Sequence, residues 1–197
     1  MTPHLPLAAL WLAISMPHAF AGAPAVDAEE QSALAAGELL IRKLVPTRPA
    51  GVRVEAIADI PASRDAVWRA LMDLEARLRA SDTVKSLEHY RPATATARWV
   101  RWTASRFGVS VVYHTRYTAA PDKSRLIHEL DPEMPNDLAY ARGVYTLSPS
   151  PLPGRTRLHY DTESDFGRSL PGFIKDWLTQ SGTRSFLEDI VRRSIAG

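Results

Sequence analysis

Seven runs of residues alternate between apolar and polar, and turn signals close most of them. A chain patterned this way must build a sheet with one face turned to a core. Val52, Val54, Ala56, Ala58 and Ile60 alternate with Arg53, Glu55 and Asp59 in the first run. The others are Val84 to Tyr90, Thr96 to Ala104, Phe107 to Thr118, Leu126 to Leu130, Tyr140 to Leu147 and Thr156 to Ser164. In the longest, Phe107, Val109, Val111, Tyr113, Thr115 and Tyr117 share one face, and Ser110, His114 and Arg116 the other. Pro121-Asp122, Pro132 to Asn136 and Pro149 to Gly154 read as turns.

Helical periodicity frames these runs. Asp27 to Ala36 reads as a short helix, with an Asp cap, Glu29 and Glu30 in the first turn and Gly37 as a stop. Leu39-Leu40-Ile41 reads as a leading strand before Pro46 and Pro49. Ser63 caps a helix with Ala66, Val67, Ala70 and Leu71, and Asp73 caps a second carrying Leu74 and Leu78. The closing segment, Pro171 to Ile195, is predicted helical. Phe173, Ile174, Trp177 and Leu178 point one way, while Phe186, Leu187, Ile190, Val191 and Ile195 point well over a quarter-turn away. The phase changes at Ser181-Gly182-Thr183, so the helix either kinks there or meets two surfaces.

The first 23 residues carry no Asp, Glu, Lys or Arg. An apolar heart from Leu7 to Ile14 is followed by Ala19, Ala21, Gly22 and Ala23, which fit the small-x-small cleavage rule. The run is too short for a mature membrane span and Pro17 interrupts it. Its start carries His4 and no Lys or Arg, which departs from the usual positive n-region. The expected division is a signal peptide over 1–23, an N-terminal helix and leading strand over 24–50, and a ligand-binding domain over 51–197. The expected location is periplasmic or secreted. The mature chain can bury roughly 70% of its unfolded surface.

With 24 Lys+Arg against 22 Asp+Glu, the formal charge is +2. That balance points away from nucleic acid, which selects clustered cations. A mildly basic chain suits a transient encounter with an anionic membrane surface, or has arginine-rich solvated faces. There is no Cys, so disulfides, thiolate metal sites and Cys nucleophiles are excluded. The pattern leaves the oligomeric state open.

Ile60-Pro61-Ala62-Ser63, then Val67-Trp68 and Asp73, resembles the opening of the START-like, SRPBCC superfamily. Leu170-Pro171-Gly172-Phe173-Ile174 with Trp177-Leu178 and Phe186-Leu187 is similar to the closing helix of its START-type lipid-binding branch, and Thr156 to Tyr160 leading into it also fits. The resemblance covers roughly residues 37–195. It implies an α+β helix-grip fold: a seven-stranded, curved antiparallel sheet wrapped around a long C-terminal helix, with an apolar cavity between. Members bind lipids, sterols, quinones, hormones or polyketides, and a minority catalyse cyclisation or hydrolysis. Fold does not fix function, so the site rests on its residues.

No G-x-S-x-G elbow and no phosphate-cradling glycine motif is present. His89, His114, His128 and His159 sit in separate elements without metal-ligand spacing, so no metal and no cofactor is expected. His114 and His159 fall on polar strand faces and read as solvated. Asp161 and Glu163 share a face with Arg157 and His159, read as outer and wet, with Arg142 or Arg116 as cross-strand partners. If Leu126 and Leu130 face inward, so does His128; the other reading puts it at an edge or rim.

The expected ligand-binding set is Trp99, Phe107, Val109, Val111, Tyr113, Tyr117, His128, Tyr145, Tyr160, Trp177, Leu178 and Ser181. Trp102 is the alternative to Trp99, and Ser181 is small and polar on an apolar stripe, where it leaves room. Aromatic walls with a few hydroxyls suit an apolar ligand, although the same rings could fill a solid core. The leading expectation is non-catalytic binding or carriage of a small apolar ligand, such as a lipid, sterol, quinone or isoprenoid-like molecule, outside the cytoplasm. The alternatives are a polyketide cyclase or aromatase-type enzyme using His128 or a tyrosine, and an interaction module docking through its outer sheet face.

Overall fold

The structure, a computed structural model, describes residues 25–106, 108–167 and 182–196. Among the described residues, four helices and eight strands follow in the order α1 (Ala28–Ala35), β1 (Leu40–Leu44), β2 (Gly51–Ile60), α2 (Arg64–Met72), α3 (Leu74–Ala80), β3 (Val84–Arg91), β4 (Ala97–Arg106), β5 (Val109–Ala119), β6 (Arg125–Leu130), β7 (Tyr140–Pro149), β8 (Thr156–Asp165) and α4 (Gly182–Ala196). The helix starts are those the caps predict. Asp27 and Glu30 form a reciprocal capping box on α1. Ser63 accepts from the Ala66 N–H at 3.3 Å and Asp73 from the Ala76 N–H at 2.8 Å. Gly37, at φ +89°, ends α1 in a conformation that costs any side chain.

All eight strands join one antiparallel sheet in the order β1-β2-β8-β7-β6-β5-β4-β3. Seven strands were expected. The eighth is the leading strand, Leu40–Leu44, which pairs along β2 from Leu40 opposite Ile57 to Leu44 opposite Arg53. Short hairpins join β3 to β8 in sequence. β2 closes onto β8 from the other end of the chain, so the first and last strands of the main sheet are neighbours.

One face of this sheet holds the core. Ile60, Leu126, Leu147 and Leu158 pack there with Val67, Leu71 and Leu74 of α2 and α3 and with Leu187 and Ile190 of α4. Arg193 on α4 donates to the Ala70 carbonyl at 2.7 Å, tying α4 to α2. The C-terminal helix is described over 182–196. The expected stretch from Pro171 to Ser181, with the proposed change of direction, lies outside the described residues.

The opposite face of β1, β2 and β8 is not wet, contrary to the sequence reading. α1 lies across it, with Leu34 completely buried. The charged residues of this face are paired with one another under that cover. Arg157 grips Asp59 with two bonds of 2.8 Å, Arg53 holds Asp161 at 2.7 and 3.0 Å, and His159 meets Glu55 at 3.0 Å. Glu163 accepts from the Thr47 and Arg48 backbones at 2.7 and 3.0 Å. The expected partner was Arg142 or Arg116; both approach Glu129, and Arg142 also stands opposite Glu163 in the β7–β8 register. β2 pairs with β8 along its whole length, and its Arg53, Glu55 and Asp59 bond Asp161, His159 and Arg157. Burial raises the Asp59 carboxyl, but the Arg157 bonds outweigh it, and the group sits below the ordinary carboxylate range.

Candidate ligand cavity

The inner residues shrink along the sheet. β8 presents Leu158, Tyr160, Thr162 and Ser164 in turn, and β7 presents Leu147, Tyr145, Gly143 and Ala141 beside them. At the end where β7 and β8 are small, β2 presents Val54 and Val52 and β5 presents Val111 and Val109. Large side chains therefore fill one end of the fold, and small ones leave the other hollow. The hollow is a cavity of about 500 Å³ between the sheet, α3 and α4. That is within the range of small-molecule sites, ~300–1,000 Å³.

At its inner end the cavity meets a cluster of rings. Tyr145 and Tyr160 stack with centroids 4.2 Å apart and planes 5° from parallel. Phe186 of α4 meets both edge-on at 6.2 Å. His128 lies among Tyr117, Tyr145 and Tyr160, and its Nε2 shares a 3.2 Å hydrogen bond with the Tyr160 hydroxyl. Gly143 makes this possible, because a Cβ there would lie 2.1 Å from His128 Nε2. Glycine weakens a strand, and its place mid-strand here marks the close approach of that ring. Burial, and secondly the Arg77 charge, push the His128 pKa down to about 3, so the imidazole is neutral at neutral pH.

Arg77 is the residue that sequence reasoning missed. It projects from α3 into the cavity, with its guanidinium carbon 4.1 Å from the Phe186 ring centroid and 5.2 Å from that of Trp102. The signal was present: Arg77 lies three residues after Leu74, on the inward side of a short amphipathic helix. Two carboxylates also reach the cavity wall, and both are held elsewhere. Asp189 is bonded by Arg192 and Arg193, and Asp82 by Arg106 at 2.6 Å. No three His, Asp or Glu converge on a metal-sized point among the described residues.

Of the expected set, Val109, Val111, Tyr113, Tyr117, His128 and Tyr160 line the cavity together. Tyr145 faces the same way but is buried beneath Tyr160 and supports the wall instead of forming it. Trp99 is a correction. Pairing sets Trp102 opposite Tyr113 and Trp99 opposite Arg116, so period two turns Trp102 inward and Trp99 outward. Trp99 lies under Arg91, whose guanidinium carbon is 6.0 Å from its centroid. Phe107, Trp177, Leu178 and Ser181 lie outside the described residues. The reading of His114 as solvated also fails: it is outward but buried, with Nδ1 bonded to the Pro135 carbonyl at 2.8 Å. His128 is inward, so the edge or rim reading is set aside.

Compared with solved structures, the chain matches a STAR-related lipid transfer protein from Xanthomonas axonopodis at 18% identity and TM-score 0.62, over 79% of this chain and 93% of that one. The chain has the START-like fold. A protein from Thermus thermophilus matches this START-like chain at 23% identity and TM-score 0.61, over 73% and 97% of the two chains. The Zhui aromatase/cyclase from a Streptomyces species matches at 14% identity and TM-score 0.59, over 73% and 93%. No family model and no curated protein sequence matches the chain.

Proposed function

We propose that this protein binds and carries a small, largely apolar molecule in its cavity, and that it does so outside the cytoplasm. The observation that carries the reading is the hollow of about 500 Å³ between the sheet, α3 and α4, lined by rings and aliphatic side chains. Interiors normally pack to the density of organic crystals. An apolar chamber of this size forgoes that packing energy, and a ligand restores it at ~25 cal/mol per Å² of apolar surface covered. The lipid-transfer neighbour supports binding, and the apolar N-terminal run with Ala19, Ala21 and Ala23 supports export.

Titration with a neutral fluorescent probe, N-phenyl-1-naphthylamine, tests the reading. Saturable one-to-one binding is expected. Val111→Phe should weaken it by at least about tenfold, because the added ring occupies the chamber, while melting temperature stays equal or rises. If the variant melts lower and leaves probe affinity unchanged, Val111 faces packed core and the carriage reading fails.

A second reading is an aromatase/cyclase-type enzyme. The hydrogen-bonded His128–Tyr160 pair inside the cavity favours it, and one neighbour is an aromatase/cyclase. Its weakness is basicity. An imidazole that titrates at about 3 is a poor general base at neutral pH, where efficient bases have pKa values near the working pH.

A further inference from the structure

Arg77 brings a positive charge into a chamber whose carboxylates are already matched. Asp189 belongs to Arg192 and Arg193 on its own helix, and Asp82 to Arg106 at the rim. Among the described residues, none offers Arg77 a carboxylate, and its contacts are the faces of Phe186 and Trp102. Stacking on rings recovers part of the lost hydration. It does not replace a counter-charge, and an unmatched charge away from bulk water is costly. His128, the other titratable group at the inner end, is neutral and offers no negative charge. Burial disposes the Tyr113 and Tyr117 phenols against ionising, and the Tyr160 hydroxyl is bonded to His128.

We infer that the cavity selects a single-chain or compact-ring amphiphile with an anionic oxygen head, a carboxylate or a phosphate, and that Arg77 pairs with that head at the inner end. The inference rests on the binding reading above and adds the ligand's polarity and direction. The guanidinium fork matches the paired oxygens of either head. Tyrosine hydroxyls beside it can complete the shell. A volume of about 500 Å³ suits one chain or a few fused rings better than a two-chain phospholipid. The charged head thus enters first, and the apolar body fills the chamber toward the rim at Ser105 and Val109.

The test compares cis-parinaric acid with its methyl ester, two fluorescent probes of one shape that differ in charge. Wild-type protein should prefer the acid by at least about tenfold, the worth of one charged hydrogen bond. Arg77→Met should abolish that preference, and Arg77→Lys should retain part of it. Displacement of the acid by laurate or by dodecyl phosphate supports the inference, and the stronger competitor identifies the head. Equal affinity of wild-type protein for acid and ester overturns it while the binding reading stands, and this comparison needs no variant. Displacement by acetate as effectively as by laurate also overturns it, because the tail would then contribute nothing. If neither acid nor ester binds folded protein, the binding reading itself is what has failed.

Discussion

Arg77 and His128 divide the electrostatic cost of the chamber between them. One remains charged because guanidinium cannot shed its proton in a protein; the other sheds its proton instead. Both choices leave a mark on stability. Replacing Arg77 by Met removes an unpaired charge and keeps a flexible apolar stem against Phe186. The ligand-free variant should gain about 1–3 kcal/mol, seen as a rise in melting temperature of roughly 2–4 °C per kcal/mol. A fall in melting temperature would mean that the ring contacts outweigh the desolvation. For His128 the sign follows from its lowered pKa. The unfolded imidazole takes up a proton near pH 6.5 and the folded one only near 3. Stability from the neutral ring is therefore complete above pH 6.5 and drains away as pH falls toward 3. Urea midpoints of wild type and His128→Gln, measured from pH 7.5 to 4, should converge as pH drops. Parallel curves would mean that the imidazole titrates normally.

At the scale of elements, α1 turns what reads as a solvent face into an interior. The alternation in β2 and β8 sets charged residues outward, and that much is legible from period two. What it does not contain is the cover. The eight residues of α1 lie far from β8 in sequence, and only the fold brings Gln31 to Arg157, at 2.8 Å, and Ala35 to Arg155, at 3.2 Å. Leu34 is the helix's anchor, fully buried on the outer face. Leu34→Ala should cost about 2–5 kcal/mol and loosen the Arg53–Asp161 and Arg157–Asp59 pairs beneath it. Chemical denaturation measures the cost, and hydrogen exchange of β1 and β2 reports the loosening; a loss under about 1 kcal/mol would show that α1 is an ornament on a sheet stable without it. The remaining elements were legible for local reasons. Ser63 and Asp73 cap where their spacing from apolar residues says they must, and Gly37 stops α1 because it can take a positive φ. Trp99 shows the limit of such reading: two tryptophans three apart fall on opposite faces of a strand, and only pairing with β5 decides which one enters.

For the whole molecule, hollowness is the property least visible in the sequence. Each inner residue of β7 and β8 is an acceptable core residue alone; only the shared direction in which Leu147-Tyr145-Gly143-Ala141 and Leu158-Tyr160-Thr162-Ser164 diminish leaves a chamber, and that requires the register. Arg77 was obscured for a related reason, since an arginine on a short helix reads as solvated until the helix is seen to close a cavity. The N-terminus allows the last prediction. Among the described residues, the domain's first tie is the Ala25 carbonyl, which accepts from Arg42 Nη2 at 3.1 Å, followed by the Asp27–Glu30 capping box. Arg42 continues that link to Glu55, at 2.9 Å, on the outer face of β2. Cleavage after Ala21 or Ala23 therefore removes the apolar run and spares every one of these bonds. A cut after Asp27 would remove the helix cap and with it a stabilisation of about 1 kcal/mol. The protein recovered from its host should thus begin at Gly22 or Pro24, by N-terminal sequencing and intact mass, and should be found outside the cytoplasm by fractionation. A cytosolic chain that retains Met1 would overturn the export reading and leave the cavity chemistry untouched, because among the described residues none that lines the chamber lies before Val52.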